Sequence, residues 1–259
     1  MIISRLRIAG PPLLLLAAAG FAADEITPEA ILDKFVEVTG GRAAYDKIHS
    51  EIATGTLEIT GAGISGTVTS YRLAPDKSYT MIDLAALGKA EEGSNGQVAW
   101  SVNAMQGAHI KEGEERTQAL RSNALHAEAR WRDFFKKAEL AGTEDVDGKP
   151  CYKVALTPNE GGPETHYYDK ANNLLVKMVL PVSTPQGAAT AEIGLSDYRA
   201  EGGIRVPHTI TQKVPGAEIL VKITEVQENP DIPASRFDLP AEIKALLPAD
   251  KDKDKAEKK

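Results

Sequence analysis

EIATGTLEITGAGISGTVTSYRLAPDKSYTMIDL, residues 51–84, is the stretch whose reading decides the fold. It is rich in Thr, Ile, Val and Tyr, its apolar residues recur with a period near two, and Gly or Pro breaks it at intervals. That pattern predicts three antiparallel strands, Glu51–Thr60, Ile64–Leu73 and Lys77–Leu84. Gly55, Gly63 and Gly66 are candidates for the bulges or bends that a curved sheet requires.

The same pattern extends toward the C-terminus. Asn95-Gly96 is a two-residue hairpin signal with Gln97–Asn103 as the return strand, which places Trp100 on a central strand. Asp147-Gly148 is a second such turn, and Tyr152, Val154 and Leu156 alternate with Cys151, Lys153 and Ala155. Val176, Met178 and Leu180 follow an Asn172-Asn173 turn, and Ala191, Ile193 and Leu195 alternate in the next segment. Gly202-Gly203 leads into Ile204–Lys213, and Pro215-Gly216 into Ala217–Val226. Most of these strands have one greasy and one more polar face, as in an antiparallel sheet covered on one side. Sequential hairpins over this length predict a mainly β chain with helices (α+β), a curved, incomplete antiparallel barrel.

Two segments break the period. Thr27 is a candidate N-cap and Pro28 suits the first helical position; Ile31, Leu32, Phe35 and Val36 form one apolar face before Gly40-Gly41, and Arg42–Ile48 adds a short helical turn. In Glu114–Lys137, Leu120, Ala124, Ala127, Trp131 and Phe134 recur at steps of four and three, with Arg121, Glu128, Arg130 and Arg132 largely off that stripe. This predicts one long helix, or two with a kink, inserted at about 114–137, with Trp131, Phe134 and Phe135 on nearly one face. The helices bury their stripes against the concave side of the curled sheet.

The N-terminus reads as a cleavable signal peptide over residues 1–22: Arg5 and Arg7, an apolar core Pro11–Phe21, and small residues Gly20 and Ala22 before the cut. The apolar core is shorter than the roughly 20 residues of a membrane span, and no cysteine follows it for lipid attachment. Cleavage leaves residues 23–248 as the domain and 249–259 (ADKDKDKAEKK) as a solvated, disordered tail. The signal carries two arginines and no acid, so the exported chain keeps 28 basic and 37 acidic residues, a net charge of −9. That balance disfavours nucleic acid and anionic lipid surfaces as partners. The single cysteine, Cys151, allows no internal disulfide, so the core alone must hold the domain in an oxidising compartment.

Catalytic and metal signatures are missing. The five histidines, His49, His109, His126, His166 and His208, form no metal-spaced pair. His166 has Asp169 three residues on, but a strand puts such positions on opposite faces. There is no P-loop and no nucleophile elbow; Gly63–Gly66 lacks the required strand–turn–helix setting. Glu112, Glu114 and Glu115, and again Glu144, Asp145 and Asp147, read as solvated charges at element ends. The expectation is therefore a protein without catalysis, metal or cofactor. With about 5% aromatic residues the interior has few bulky plugs, so part of it is a candidate cavity for an apolar ligand.

Several short motifs carry a resemblance. Tyr71–Tyr79 (YRLAPDKSY) is a strand, proline turn and strand; Gly93–Trp100 (GSNGQVAW) is similar to a "DGKTLW" hairpin; a helical insertion follows; His166–Met178 (HYYDKANNLLVKM) and Leu195–Gln212 resemble late hairpins; Phe237–Pro240 (FDLP) resembles a closing "FxxP" strand. In these the chain resembles the LolA/LolB-like superfamily of outer-membrane lipoprotein-sorting proteins. The resemblance implies a half-barrel lidded by helices with a cavity for acyl chains. Where the carriers place an arginine directly before the proline, this chain has Ala74, with Arg72 on the same strand face as the candidate substitute. The expected ligand-binding set is Trp100, Leu120, Ala124, Ala127, Trp131, Phe134, Phe135 and Arg72. The expected function is a periplasmic, monomeric carrier of a lipid, acyl chain or lipoprotein, with the helical insertion as lid and an acylated or envelope protein as partner. The alternatives are a non-catalytic scaffold module of the cell envelope, or an enzyme built in the cavity, which polar titratable groups converging inside, such as His166 with a carboxylate, would mark.

Overall fold

The computed structural model describes residues 26–184 and 187–248. The signal segment 1–22 and the tail 249–259 read from the sequence lie outside the described residues.

The chain opens with helix α1 (Pro28–Val38), whose first turn is capped by the Thr27 hydroxyl accepting from the Ala30 amide at 3.2 Å. Its buried face is Ile31, Leu32, Phe35 and Val36. Buried Thr39 ends it, donating to the Phe35 carbonyl at 2.7 Å and accepting from Tyr45 at 2.8 Å. Gly40 follows at φ 137°, where a Cβ would sit 2.6 Å from the Gly203 carbonyl oxygen. Only glycine allows this turn to seat so closely on the sheet. Helix α2 (Arg42–Tyr45) is a single turn.

Six strands follow as a meander: β1 (Ser50–Thr60), β2 (Ile64–Leu73), β3 (Lys77–Leu84), β4 (Gly88–Asn95), β5 (Ala99–Asn103) and β6 (Gly107–Lys111). After helices α3 (Gly113–Asn123) and α4 (Trp131–Phe134), seven more form a second meander: β7 (Phe135–Val146), β8 (Lys149–Pro158), β9 (Glu164–Asp169), β10 (Leu175–Thr184), β11 (Gly187–Glu201), β12 (Ile204–Val214) and β13 (Ala217–Glu228). β13 pairs antiparallel with β1, joining the meanders into one 13-stranded sheet whose free edges are β6 and β7. The sheet is an open half-barrel. Its two edges are consecutive in sequence, so α3, α4 and the segment between them connect one rim of the opening to the other.

The inserted segment is less helical than its stripe implies. α3 stops at Asn123, Ala124 is extended (φ −62°, ψ 138°), His126 is left-handed (φ 51°), and α4 is one turn. Phe135, expected on the helix, already pairs with Pro158, and Lys137 with Thr157. α3 carries a single large apolar residue, Leu120. A helix this short depends on packing rather than propensity, and pairing with β8 takes the chain instead. Trp100 also differs from expectation: β5 is next to the edge strand β6 and is not central.

Register separates the two faces. Tyr71, Tyr79, Gly93, Trp100 and Ile110 are successive cross-strand partners, so they share one face; Arg72, Ser78, Ser94 and Ala99 share the other. On the first, here the outer face, the Ala234–Phe237 turn and helix α5 (Ala241–Leu246) close a core of Tyr79, Trp100, Phe237 and Ile243. On the inner face, α1, α2, Leu125, Ala129 and Trp131 cover Val154, Leu156, Tyr168, Leu175 and Ile204. Among the described residues no helix is long and apolar enough to cross a membrane.

Candidate functional site

The inner core is not filled. Between α1, the inserted segment and strands β7–β12 lies a cavity of about 240 Å³. α1 contributes Leu32 and Phe35, and the lid contributes Ala127 and Trp131; Phe135 and Leu156 line it from β7 and β8. Leu175, Met178 and Leu180 of β10 and Leu195 of β11 complete the apolar lining. Apolar cavities of roughly 150 Å³ stay dry and accept small apolar molecules.

One wall is polar. Glu164, His166 and Tyr168 of β9 are two residues apart and point the same way, into the cavity. Arg121 of α3 reaches across from the lid and ion-pairs with Glu164 through Nη2 and Oε1. The other Glu164 oxygen lies 3.2 Å from His166 Nε2, and His166 Nδ1 lies 3.4 Å from the Tyr168 hydroxyl. All four residues are buried. Phe135 supports the row, its ring 5.5 Å from the Arg121 guanidinium and edge-on to His166. Burial pushes the Glu164 carboxyl up, but the His166 and Arg121 contacts outweigh it and hold the group below its ordinary value. Burial drives the Tyr168 phenol far above its ordinary value, helped by Glu128 and Glu164. Tyr168 therefore stays a neutral hydroxyl.

Arg121 also lines a second hollow outside the cavity, with Arg116, Leu120, Arg130, Phe134 and Glu160. The Arg121–Glu164 pair is thus the partition between that hollow and the interior. At its rim the lid is held by polar contacts: Asp33 of α1 takes two bonds from Arg132 (2.6 and 2.7 Å) and one from Trp131 Nε1 (3.1 Å). Arg42 donates to the Ala129 carbonyl at 2.9 Å, and Arg130 to that of Pro75 at 3.2 Å. Beneath the left-handed turn at His126, Glu128 faces the cavity; burial opposes its charge, yet His126 3.8 Å away leaves it below the ordinary value.

The residues expected to bind ligand are divided by this geometry. Ala127, Trp131 and Phe135 line the cavity. Leu120 and Phe134 line the outer hollow instead, because the break at Ala124 ends the continuous stripe that would have aligned them. Ala124 is buried in the lid's own packing. Trp100 is on the opposite face of the sheet, in the outer core. Arg72 is on the inner face but pairs with buried Glu51 at 2.7 Å, outside the cavity lining. Sequence reasoning set His166 against Asp169, on the opposite face; its partner is Glu164, two residues earlier and on the same face. The alternation in Glu164–Asp169 carried that signal. Arg121, placed largely off the apolar stripe, is 6% exposed. Among the described residues no cluster of His, Cys, Asp or Glu fits a metal ion.

The whole-chain architecture was then compared with known proteins. No family model and no curated protein sequence matches the chain. Solved structures do. A LolA superfamily protein from Nitrosomonas europaea superposes with TM-score 0.57 at 14% identity, covering 83% of this chain and 99% of its own. The two share one fold. A DUF1329 family protein from Desulfovibrio piger gives TM-score 0.55 at 14% identity, covering 82% and 97%. An outer membrane lipoprotein-sorting protein domain from Vibrio parahaemolyticus gives 0.52 at 12% identity, covering 80% and 97%. The shared fold thus accounts for nearly the full length of each of these structures.

Proposed function

We propose that the chain is a periplasmic carrier or binding protein for an apolar ligand, a lipid or acyl chain, held between the inner face of the sheet and the lid. The observation that carries this reading is the cavity of about 240 Å³, lined mainly by apolar side chains and roofed by a short, irregular segment. Export rests on the N-terminal segment 1–22 of the sequence. The likeness to lipoprotein-sorting proteins supports the same reading. Loading exchanges water contact for apolar contact at roughly 25 cal/mol per Å², and unloading requires only a partner that offers slightly more. The test is native mass spectrometry of the chain purified from its own cell envelope. A co-purifying apolar molecule, released on unfolding, is the expected result. A ligand-free chain that also takes up no added lipid would leave a scaffold of the cell envelope as the reading.

A second reading, an enzyme, is favoured by one observation: Glu164, His166 and Tyr168 form a carboxylate–imidazole–hydroxyl row inside a cavity. The row resembles an acid–base relay. Its hydroxyl is a phenol driven away from ionisation, which makes it a poor nucleophile at neutral pH. Hydrolysis of nitrophenyl acyl esters, abolished by His166→Ala, would establish this reading over the carrier.

A further inference from the structure

We propose that the ligand is a single-chain amphiphile with an uncharged, hydrogen-bonding head, such as an alcohol, ester or amide, whose head lies along the β9 wall. This inference rests on the carrier reading and specifies its ligand.

The lining is written by two adjacent strands. β10 presents Leu175, Met178 and Leu180, an apolar column, while β9 beside it presents Glu164, His166 and Tyr168. From Glu164 to Tyr168 the polar column is about 13 Å long at the rise of a strand. A hydrocarbon alone would leave that column facing an apolar surface, which is costly for buried polar groups. A ligand with a polar head is the better match.

The charge count disfavours an ionic head. Arg121 and Glu164 satisfy each other. The remaining charged side chains of the lining are Glu128 and Arg205, one of each sign; Arg205 is exposed and keeps its hydration, and Glu128 is set against His126. Beside Glu164 a carboxylate or phosphate would meet a guanidinium, Arg121, that is already paired, and the other arginine of the described lining, Arg205, is exposed to water. An ammonium would compete with Arg121 for a carboxylate already taken. Burying an unpaired charge costs far more than burying a hydroxyl that finds a partner. In the outer hollow, with Arg121 taken by Glu164, Arg116 and Arg130 face the three carboxylates of Asp76, Asp133 and Glu160.

The spare capacity of the wall is for neutral hydrogen bonds. The Tyr168 hydroxyl has one long contact, 3.4 Å to His166, and remains protonated. Tyr198, also in the lining, donates to the Leu175 carbonyl at 2.8 Å and keeps its oxygen lone pairs. His166 has both ring nitrogens engaged, so the spare capacity is that of the two phenols: the weakly held Tyr168 proton as donor and the oxygen lone pairs of Tyr168 and Tyr198 as acceptors for a hydroxyl or carbonyl. The volume sets the tail: 240 Å³ is below the roughly 300–1,000 Å³ of ordinary ligand sites and suits one chain rather than two or three.

The test loads the chain with the neutral fluorophore N-phenyl-naphthylamine and displaces it at neutral pH with decanol, monodecanoylglycerol, decanoate or decylammonium. The two neutral amphiphiles should displace it at concentrations at least about 10-fold lower than either ion, a difference of about 1.4 kcal/mol. Tyr168→Phe should weaken both neutral amphiphiles about 5-fold, the worth of one hydrogen bond, and leave the fluorophore's own affinity unchanged. An ion that displaces as well as the alcohol overturns the inference, as does a folded Tyr168→Phe chain with unaltered preference; the wild-type ranking decides alone if that variant does not fold. Failure of the fluorophore to bind wild type at all would sink the carrier reading itself. Binding without discrimination between heads would sink only this inference.

Discussion

Trp100 and Trp131 cover opposite faces of one sheet, and they are held differently. Trp100 is 1% exposed between Tyr79, Phe237 and Ile243; Gly93 opposite leaves room for its ring, since a Cβ there would lie 3.0 Å from Trp100 Cζ2. Its indole nitrogen is buried with no hydrogen-bond partner among the described residues, so packing seats it. Trp131 is 7% exposed and borders the cavity, with its indole bonded to Asp33 and its ring under the Arg132 guanidinium at 4.0 Å. The outer cover is a packed core. The inner cover is fastened at its rim by ion pairs such as Arg132–Asp33, whose side chains are about half exposed and which are therefore weak. The difference is one of filling: the outer cover packs solidly on the sheet, while the inner cover, although Leu125, Ala129 and Trp131 join the inner core, leaves a cavity beneath it.

The largest effect should come from the outer core. Trp100→Ala removes a fully buried aromatic and should cost about 3–5 kcal/mol in urea unfolding, while the fraction that remains folded binds N-phenyl-naphthylamine as before. Loss of dye binding in the folded chain would break the separation of the faces. Next comes the latch. Arg121→Ala leaves the Glu164 carboxylate with only His166, and should cost about 2–3 kcal/mol, below the roughly 3–5 of a buried pair broken outright because His166 remains, together with faster hydrogen exchange of α3; exchange confined to the outer face would contradict it. The pair also sets an acid limit. Because Glu164 is held below its ordinary value of 4.5, its contribution is complete above that pH and is lost as pH falls through the lowered value. Stability should therefore decline below about pH 4.5 more steeply in wild type than in Arg121→Ala. The smallest change should be at Glu228, whose carboxyl is pushed up by burial and, against the pull of His126, by Glu51 and Glu201, with Oε1 unpartnered among the described residues. Glu228→Gln should raise stability at neutral pH by up to about 1 kcal/mol, and the gain should fade as acid protonates the wild-type carboxyl.

The pattern of strands was legible where side chains alternate. The predicted Ile64–Leu73 and Lys77–Leu84 coincide with β2 and β3, and the Thr27 cap and buried face of α1 follow from their residues. β4 (GKAEEGSN) and β6 (GAHIK) were not legible, because neither carries an alternating apolar set; pairing with β3 and β5 makes them strands. The sequence also showed no sign that β13 returns to β1, a contact between residues far apart in the chain. The site was half legible. Trp131, Ala127 and Phe135 emerged from helical periodicity although Phe135 is in a strand, so the right residues arose partly from the wrong geometry. The polar column on β9 was missed because His166 was weighed against the residue three ahead and not the one two behind.

The most direct test of the account is a titration of the chain with N-phenyl-naphthylamine, comparing wild type with Leu195→Phe, which pushes a larger side chain into the inner cavity, and with Trp100→Phe on the outer face. The account predicts one probe bound per wild-type chain, similar binding by Trp100→Phe, and at least about 10-fold weaker binding by Leu195→Phe at a stability within roughly 1.5 kcal/mol of wild type. Undiminished binding by a folded Leu195→Phe chain would contradict it, since the probe would then reside elsewhere and the cavity would not be the site.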